Sequence, residues 1–152
     1  MKTLRFFMHS LITVISLVIF TGCAEVPLNK ITTSGKPERL FTSASLSDVR
    51  SKVIEQCSIR GSVEEKGSTS VVCSKVLSGL EAQLADVIVG GNRGSTTPER
   101  KVSFLITQRG SDVFVMAASI WLESTTAFGQ IRRSEETHNN VYNETQYFLD
   151  SL

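Results

Sequence analysis

Histidine is almost missing from this chain. His9 and His138 are the only two among 152 residues. A serine nucleophile served by an imidazole base needs a histidine within reach, and no Gly-x-Ser-x-Gly turn is present to present such a serine. His138 stands in Thr-His-Asn and reads as a surface residue at a helix start. Cysteine is nearly as scarce, with Cys23, Cys57 and Cys73 only. With no second cysteine pair and no histidine nearby, a zinc site is not expected. The chain also lacks charge of one sign: 16 basic residues face 15 acidic ones. That balance excludes the electrostatic footprint of a nucleic-acid binder or of a protein drawn to an anionic membrane surface. Long apolar runs are absent too. Leu11 to Phe20 is a run of ten, whereas a bilayer-crossing helix needs about 20. The adjacent acids Glu64-Glu65 and Glu135-Glu136 point apart on a strand, so they read as solvated charge rather than an acid–base pair. No catalytic residue, metal or cofactor is expected, and the chain is not read as an enzyme.

What is present begins at the amino end. Lys2 and Arg5 precede the short apolar stretch, and small residues close it. This is the order of a secretory signal. The closing residues are Phe20-Thr21-Gly22-Cys23. They resemble the lipobox of bacterial lipoproteins: an apolar residue, a small residue, Gly or Ala, then cysteine. The resemblance implies a lipid on the Cys23 sulfur, cleavage before it and acylation of the new amino group. One acyl chain binds a membrane only marginally, while two or more anchor stably. Ala24 rather than Asp follows the cysteine, a pattern that in enteric-type bacteria implies the outer membrane, with the domain in the periplasm. The resemblance covers about the first 24 residues. Two other readings of these residues stand beside it: cleavage after Ala24 by the peptidase of soluble exports, and an uncleaved weak anchor.

With residues 1–22 removed as a signal peptide, Lys2 and Arg5 are lost and 14 basic residues face 15 acidic ones. A lipid would consume Cys23 and leave Cys57 and Cys73 as an even pair in an oxidising compartment, where a disulfide can form; two separately buried thiols are the alternative. Residues 23–37, with Pro27, Gly35, Pro37 and no periodic apolar face, read as a flexible tether. The alternative is that Val26, Leu28 and Ile31 dock on the domain as an extended strand.

Residues 38–152 read as one α+β domain. Residues 38–43 suit a short edge strand. Ser45 opens a helix over Leu46 to Cys57, with Leu46, Val49, Val53 and Cys57 at helical spacing. Two strand-like segments flank Lys66-Gly67-Ser68. Leu80, Leu84, Val87 and Ile88 suit a short helix, although Ala85 to Val89 also suits a strand. Residues 100–108 and 112–122 form the clearest hairpin. Val102, Phe104 and Ile106 share one face, and the second strand is apolar on both. A loop or further short strand follows, with a turn at Phe128-Gly129, and a last helix is capped by Asn139 or Asn140 and carries Val141, Thr145, Phe148 and Leu152. The expected architecture is an antiparallel sheet of about four strands with an amino-terminal and a carboxy-terminal helix on one face.

Gly90, Gly91, Asn92 and Arg93 form the segment that most invites a contact, since glycines permit close backbone approach and Arg93 adds charge. They lack the Lys-Ser/Thr ending of a phosphate loop, and a plain connector is the competing reading. Arg132 and Arg133 are a second possible contact point or a solvated pair. The expectation is a membrane-anchored lipoprotein that binds or scaffolds an envelope protein. The alternative is an exclusion or inhibitor-type lipoprotein that blocks one specific envelope protein through the loops Gly90 to Pro98 and Ser124 to Arg133.

Overall fold

The computed structural model describes residues 25–65, 67–90 and 95–152. Cys23 and the signal segment lie outside the described residues, as do Gly91, Asn92 and Arg93. Among the described residues nine elements follow one another: β1 (Glu38–Thr42), α1 (Leu46–Arg60), β2 (Ser62–Glu65), β3 (Ser70–Val76), α2 (Gly79–Ile88), β4 (Glu99–Gly110), β5 (Val113–Thr125), β6 (Ile131–Glu135) and α3 (Asn139–Asp150). The architecture is α+β, as expected, but among the described residues the antiparallel sheet has six strands rather than about four, and the short helix over residues 79–88 joins the two terminal helices. The strands run β1-β5-β4-β3-β2, and β6 also pairs with β5. One edge of β5 is therefore shared: β1 takes Val113 to Ala117 and β6 takes Trp121 to Thr125. β6 is Ile-Arg-Arg-Ser-Glu, mostly exposed and without apolar alternation. Of the two readings of this stretch, loop or further short strand, the strand forms, on the ladder that the long β5 offers it.

The β4–β5 hairpin is the spine. Phe104 pairs with Ala118 and Ile106 with Met116, and all four are buried. Along β5, Phe114, Met116, Ala118, Ile120 and Leu122 are buried, while the alternate residues are only half-buried. That period of two places one face of the sheet under helices and leaves the other without a described helix. On the covered face, Val49, Val53 and Cys57 of α1 meet Val71, Phe104, Phe114, Met116 and the α3 residues Phe148 and Leu149. Phe104 and Phe148 stack with ring centroids 5.2 Å apart. The amino-terminal and carboxy-terminal helices thus share one face.

Ser45 caps α1: its hydroxyl accepts from the Asp48 N–H at 3.1 Å and donates to the Asp48 carboxylate at 2.7 Å. The helix runs to Arg60, three residues beyond the expected end. It stops at Gly61 because the chain then passes close under β3; a Cβ at Gly61 would collide with the Ser74 carbonyl oxygen. Cys57 of α1 and Cys73 of β3 form a disulfide with Cα atoms 5.7 Å apart, so the covalent link ties helix to sheet.

Two helical details differ from expectation. Residues 79–88 are helical, but the expected apolar stripe faces outward: Leu80, Leu84, Val87 and Ile88 are exposed, while Ala85 and Val89 pack with Leu77 and Leu122. Small side chains let the helix lie close to the sheet, and the large ones are left outside. In α3 the cap is His138, with no side-chain capping bond. Asn139 instead donates to the Val26 carbonyl at 2.9 Å. Asn143 donates to Pro27 O and accepts from the Asn29 N–H at 2.7 Å. Residues 26–30 of the segment read as a tether therefore lie along α3. They form no strand, and Val26, Leu28 and Ile31 stay exposed.

Candidate functional site

Three regions hold the groups that carry chemistry. The first is a buried ion pair on the helix-covered face. Arg100, near the start of β4, grips Glu136 bidentately, Nε to Oε2 at 2.6 Å and Nη2 to Oε1 at 2.8 Å. A third guanidinium bond runs to Glu81 of α2 at 2.6 Å. Glu136 is only 7% exposed, so the expectation of solvated charge for Glu135-Glu136 fails for Glu136. The chain leaves β6 there, and the Glu136 N–H donates to Ile120 O, which turns its side chain beneath the helices. The hydrogen bond to Glu136 raises the Arg100 pKa above its ordinary value in spite of burial. A guanidinium so held is a permanent cation and serves as a clamp between β4, α2 and the end of β6.

The second region is a charge ladder on the open face of the sheet. Lys101 neighbours Arg100 and points the other way. Its ammonium donates to Glu64 of β2 at 2.9 Å and lies 3.0 Å from Glu123 of β5. Glu123 also accepts from Arg133 of β6 at 2.6 Å and from the Trp121 indole at 3.1 Å. The Arg133 guanidinium lies 5.6 Å from the centre of the Trp121 ring. Burial works to raise the Glu123 pKa, but the bonds from Lys101, Trp121 and Arg133 outweigh it and hold the carboxyl below its usual range. For Lys101 burial pulls downward, and its carboxylate partners more than reverse it. Each charge is answered, so the ladder stitches four strands together and is not set up for proton transfer.

The third region is a corner where the two expected contact loops meet. The Thr96 N–H donates to Thr125 O at 2.8 Å, and the Thr125 N–H donates to the Thr96 hydroxyl at 2.9 Å. Arg132 donates to Gly90 O at the carboxy end of α2, where a cation suits the helix dipole. Gly90 itself has φ +67, the left-handed conformation that ends helices. Among the expected contact residues, Gly90 and Arg132 are thus brought together. Arg133 is separated from them, since successive strand residues face opposite sides. The exposed stripe of α2 runs into this corner, and Phe128 on the adjoining turn is 87% exposed.

The helix-covered face also has an opening. A groove of ≈ 550 Å³ lies between the end of α1, α3 and the strands β3 and β4, lined by Val102, Phe104 and Phe148 among others. Sequence reading missed both this groove and the ion pairs. The partners lie 36 and 37 positions apart, too far for any local spacing to signal them. Adjacent basic residues at the head of an alternating strand, Arg100-Lys101, were the one visible hint: on a strand, such neighbours serve opposite faces. Among the described residues no group of three or more His, Cys, Asp or Glu could hold a metal ion, and no described helix is long and apolar enough to cross a membrane. No protein-family model matches the chain, and no curated protein or solved structure is significantly similar to it.

Proposed function

We propose that this chain is a lipoprotein of a bacterial envelope, held to the outer membrane through an acylated Cys23, whose periplasmic domain binds or scaffolds another envelope protein. The observation that carries the binding role is the outward stripe of α2. Leu80, Leu84, Val87 and Ile88 are each at least half exposed. Four large aliphatic residues on one exposed helix face form a contiguous apolar surface of the sort that marks protein contacts. The lipobox-like Phe20-Thr21-Gly22-Cys23 supplies the anchor in this reading. The test is site-specific photo-crosslinking in cells. A crosslinker at Leu84 should give discrete protein adducts, and one at Lys52 on the exposed side of α1 should not. Equal patterns at both positions would remove the basis for the α2 contact.

The blocking role, in which one envelope protein is the sole target, draws support from the corner. The Thr96–Thr125 and Arg132–Gly90 bonds join the two loops into one surface next to the α2 stripe. A single adduct of one-to-one stoichiometry favours blocking. Recovery of a multi-component assembly favours scaffolding.

A further inference from the structure

The geometry points to the groove on the helix-covered face as a binding site for one acyl chain ending in a carboxylate, a fatty-acid-type amphiphile. Its volume, ≈ 550 Å³, lies in the range of small-molecule sites, which are concave, mostly apolar and furnished with a few polar groups that set orientation. The interior is mostly apolar, with hydroxyls from Ser74 and Thr145: Val102 and Phe104 of β4 form the floor, Val141 and Phe148 of α3 one wall, and the Cys57–Cys73 disulfide the other. That bridge fixes α1 against β3, so the wall is covalently held and the groove is preformed.

The charged groups on its lining select the end group. Arg100 is occupied by Glu136 and Glu81. Arg60, Lys75 and Glu144 are exposed and carry no ion pair among the described residues. Two unpaired cations against one unpaired acid leave a single positive charge, which matches a monoanion. Arg60 lies over the Phe148 ring, 5.0 Å from its centre, so its charge sits at the boundary between apolar wall and solvent. An apolar chain in the groove with its carboxylate at Arg60 and Lys75 satisfies both surfaces at once. This inference is independent of the proposed anchor and of the α2 contact.

The test uses the full-length protein in phosphatidylcholine vesicles, with dodecanoate carrying a diazirine on its chain as the probe. After illumination, adducts are mapped by peptide mass spectrometry. They should concentrate on the peptides bearing Val102 to Phe104 and Val141 to Phe148. The matching diazirine dodecanol should label those peptides at least five-fold less, and so should dodecanoate with the Arg60→Gln, Lys75→Gln protein. Adducts scattered over the chain or confined outside these peptides overturn the proposal. So does labelling by the alcohol within five-fold of the acid, a comparison that needs no variant to fold.

Discussion

Arg100 and Lys101 show how much one peptide bond separates in a strand. Arg100 reaches beneath the helices and Lys101 reaches across the open face, and each organises a different set of carboxylates. The Arg100–Glu136 pair is the more deeply placed, with side-chain exposures of 17% and 7%. Removing one member of a buried pair leaves an uncompensated charge and costs about 3–5 kcal/mol, whereas replacing both with apolar groups is close to neutral. Arg100→Met should therefore lower unfolding free energy by about 3 kcal/mol or more in urea titrations. Arg100→Met combined with Glu136→Leu should recover most of it. Glu123 makes a prediction about pH. Its folded pKa is lowered, so its contribution is present above the unfolded carboxylate value and is lost as pH falls below that value and through the lower folded one. The melting temperature of the parent protein should fall further between pH 7 and pH 3 than that of Glu123→Gln. Equal falls would show that the ladder contributes nothing to acid sensitivity.

At the scale of elements, the link between α1 and β3 and the orientation of α2 carry the consequences. The disulfide joins residues 16 apart, and closing a loop of that length in the unfolded chain is worth roughly 3 kcal/mol by the chain-entropy account. Cys57→Ser with Cys73→Ser should lower the denaturant midpoint accordingly, and native protein should resist thiol alkylation at both positions until it is reduced. For α2 the expectation is the reverse. Leu84 is 57% exposed, so Leu84→Asp should change stability by less than about 1 kcal/mol in thermal melts, as is usual for surface sites. The same change should abolish the adduct given by a crosslinker placed at Leu80 of the same exposed stripe. The periodicity of Leu80, Leu84, Val87 and Ile88 made the helix legible; its orientation was not legible, because a hydrophobic stripe does not say whether core or partner covers it. The stretch of β6 reads from sequence as loop or short strand for a related reason: edge strands borrow their geometry from a neighbour's ladder, not from their own side chains.

For the whole molecule the question is how the domain would stand relative to the proposed anchor. Residues 26–30 are bonded along α3, and Lys30 pairs with Asp150 at 3.4 Å. These are exposed contacts, and exposed pairs contribute about 0–1 kcal/mol each. In the proposed reading they let the segment lie on the domain or lift from it at little cost. The proposed anchor makes the last prediction. Cys23→Ser should abolish incorporation of labelled palmitate and release the protein from membranes. The mass of the mature amino terminus in the parent protein should carry the acyl groups. Continued labelling of the serine variant would remove Cys23 as the lipid site.

Local order alone determined the signal-like amino end, the helix at 46, the β4–β5 hairpin and the last helix. Each depends on side-chain period and capping chemistry within a dozen residues, and local chemistry is all those features need. Tertiary structure decided the rest: the shared edge of β5, the outward turn of α2, the burial of Glu136, the meeting of two loops at Thr96 and Thr125, and the groove beside the disulfide. These arise where segments distant along the chain compete for one surface. The outcome there depends on which side chains fit beneath a helix and which charges can reach one another, quantities that come into being only once the chain has closed on itself.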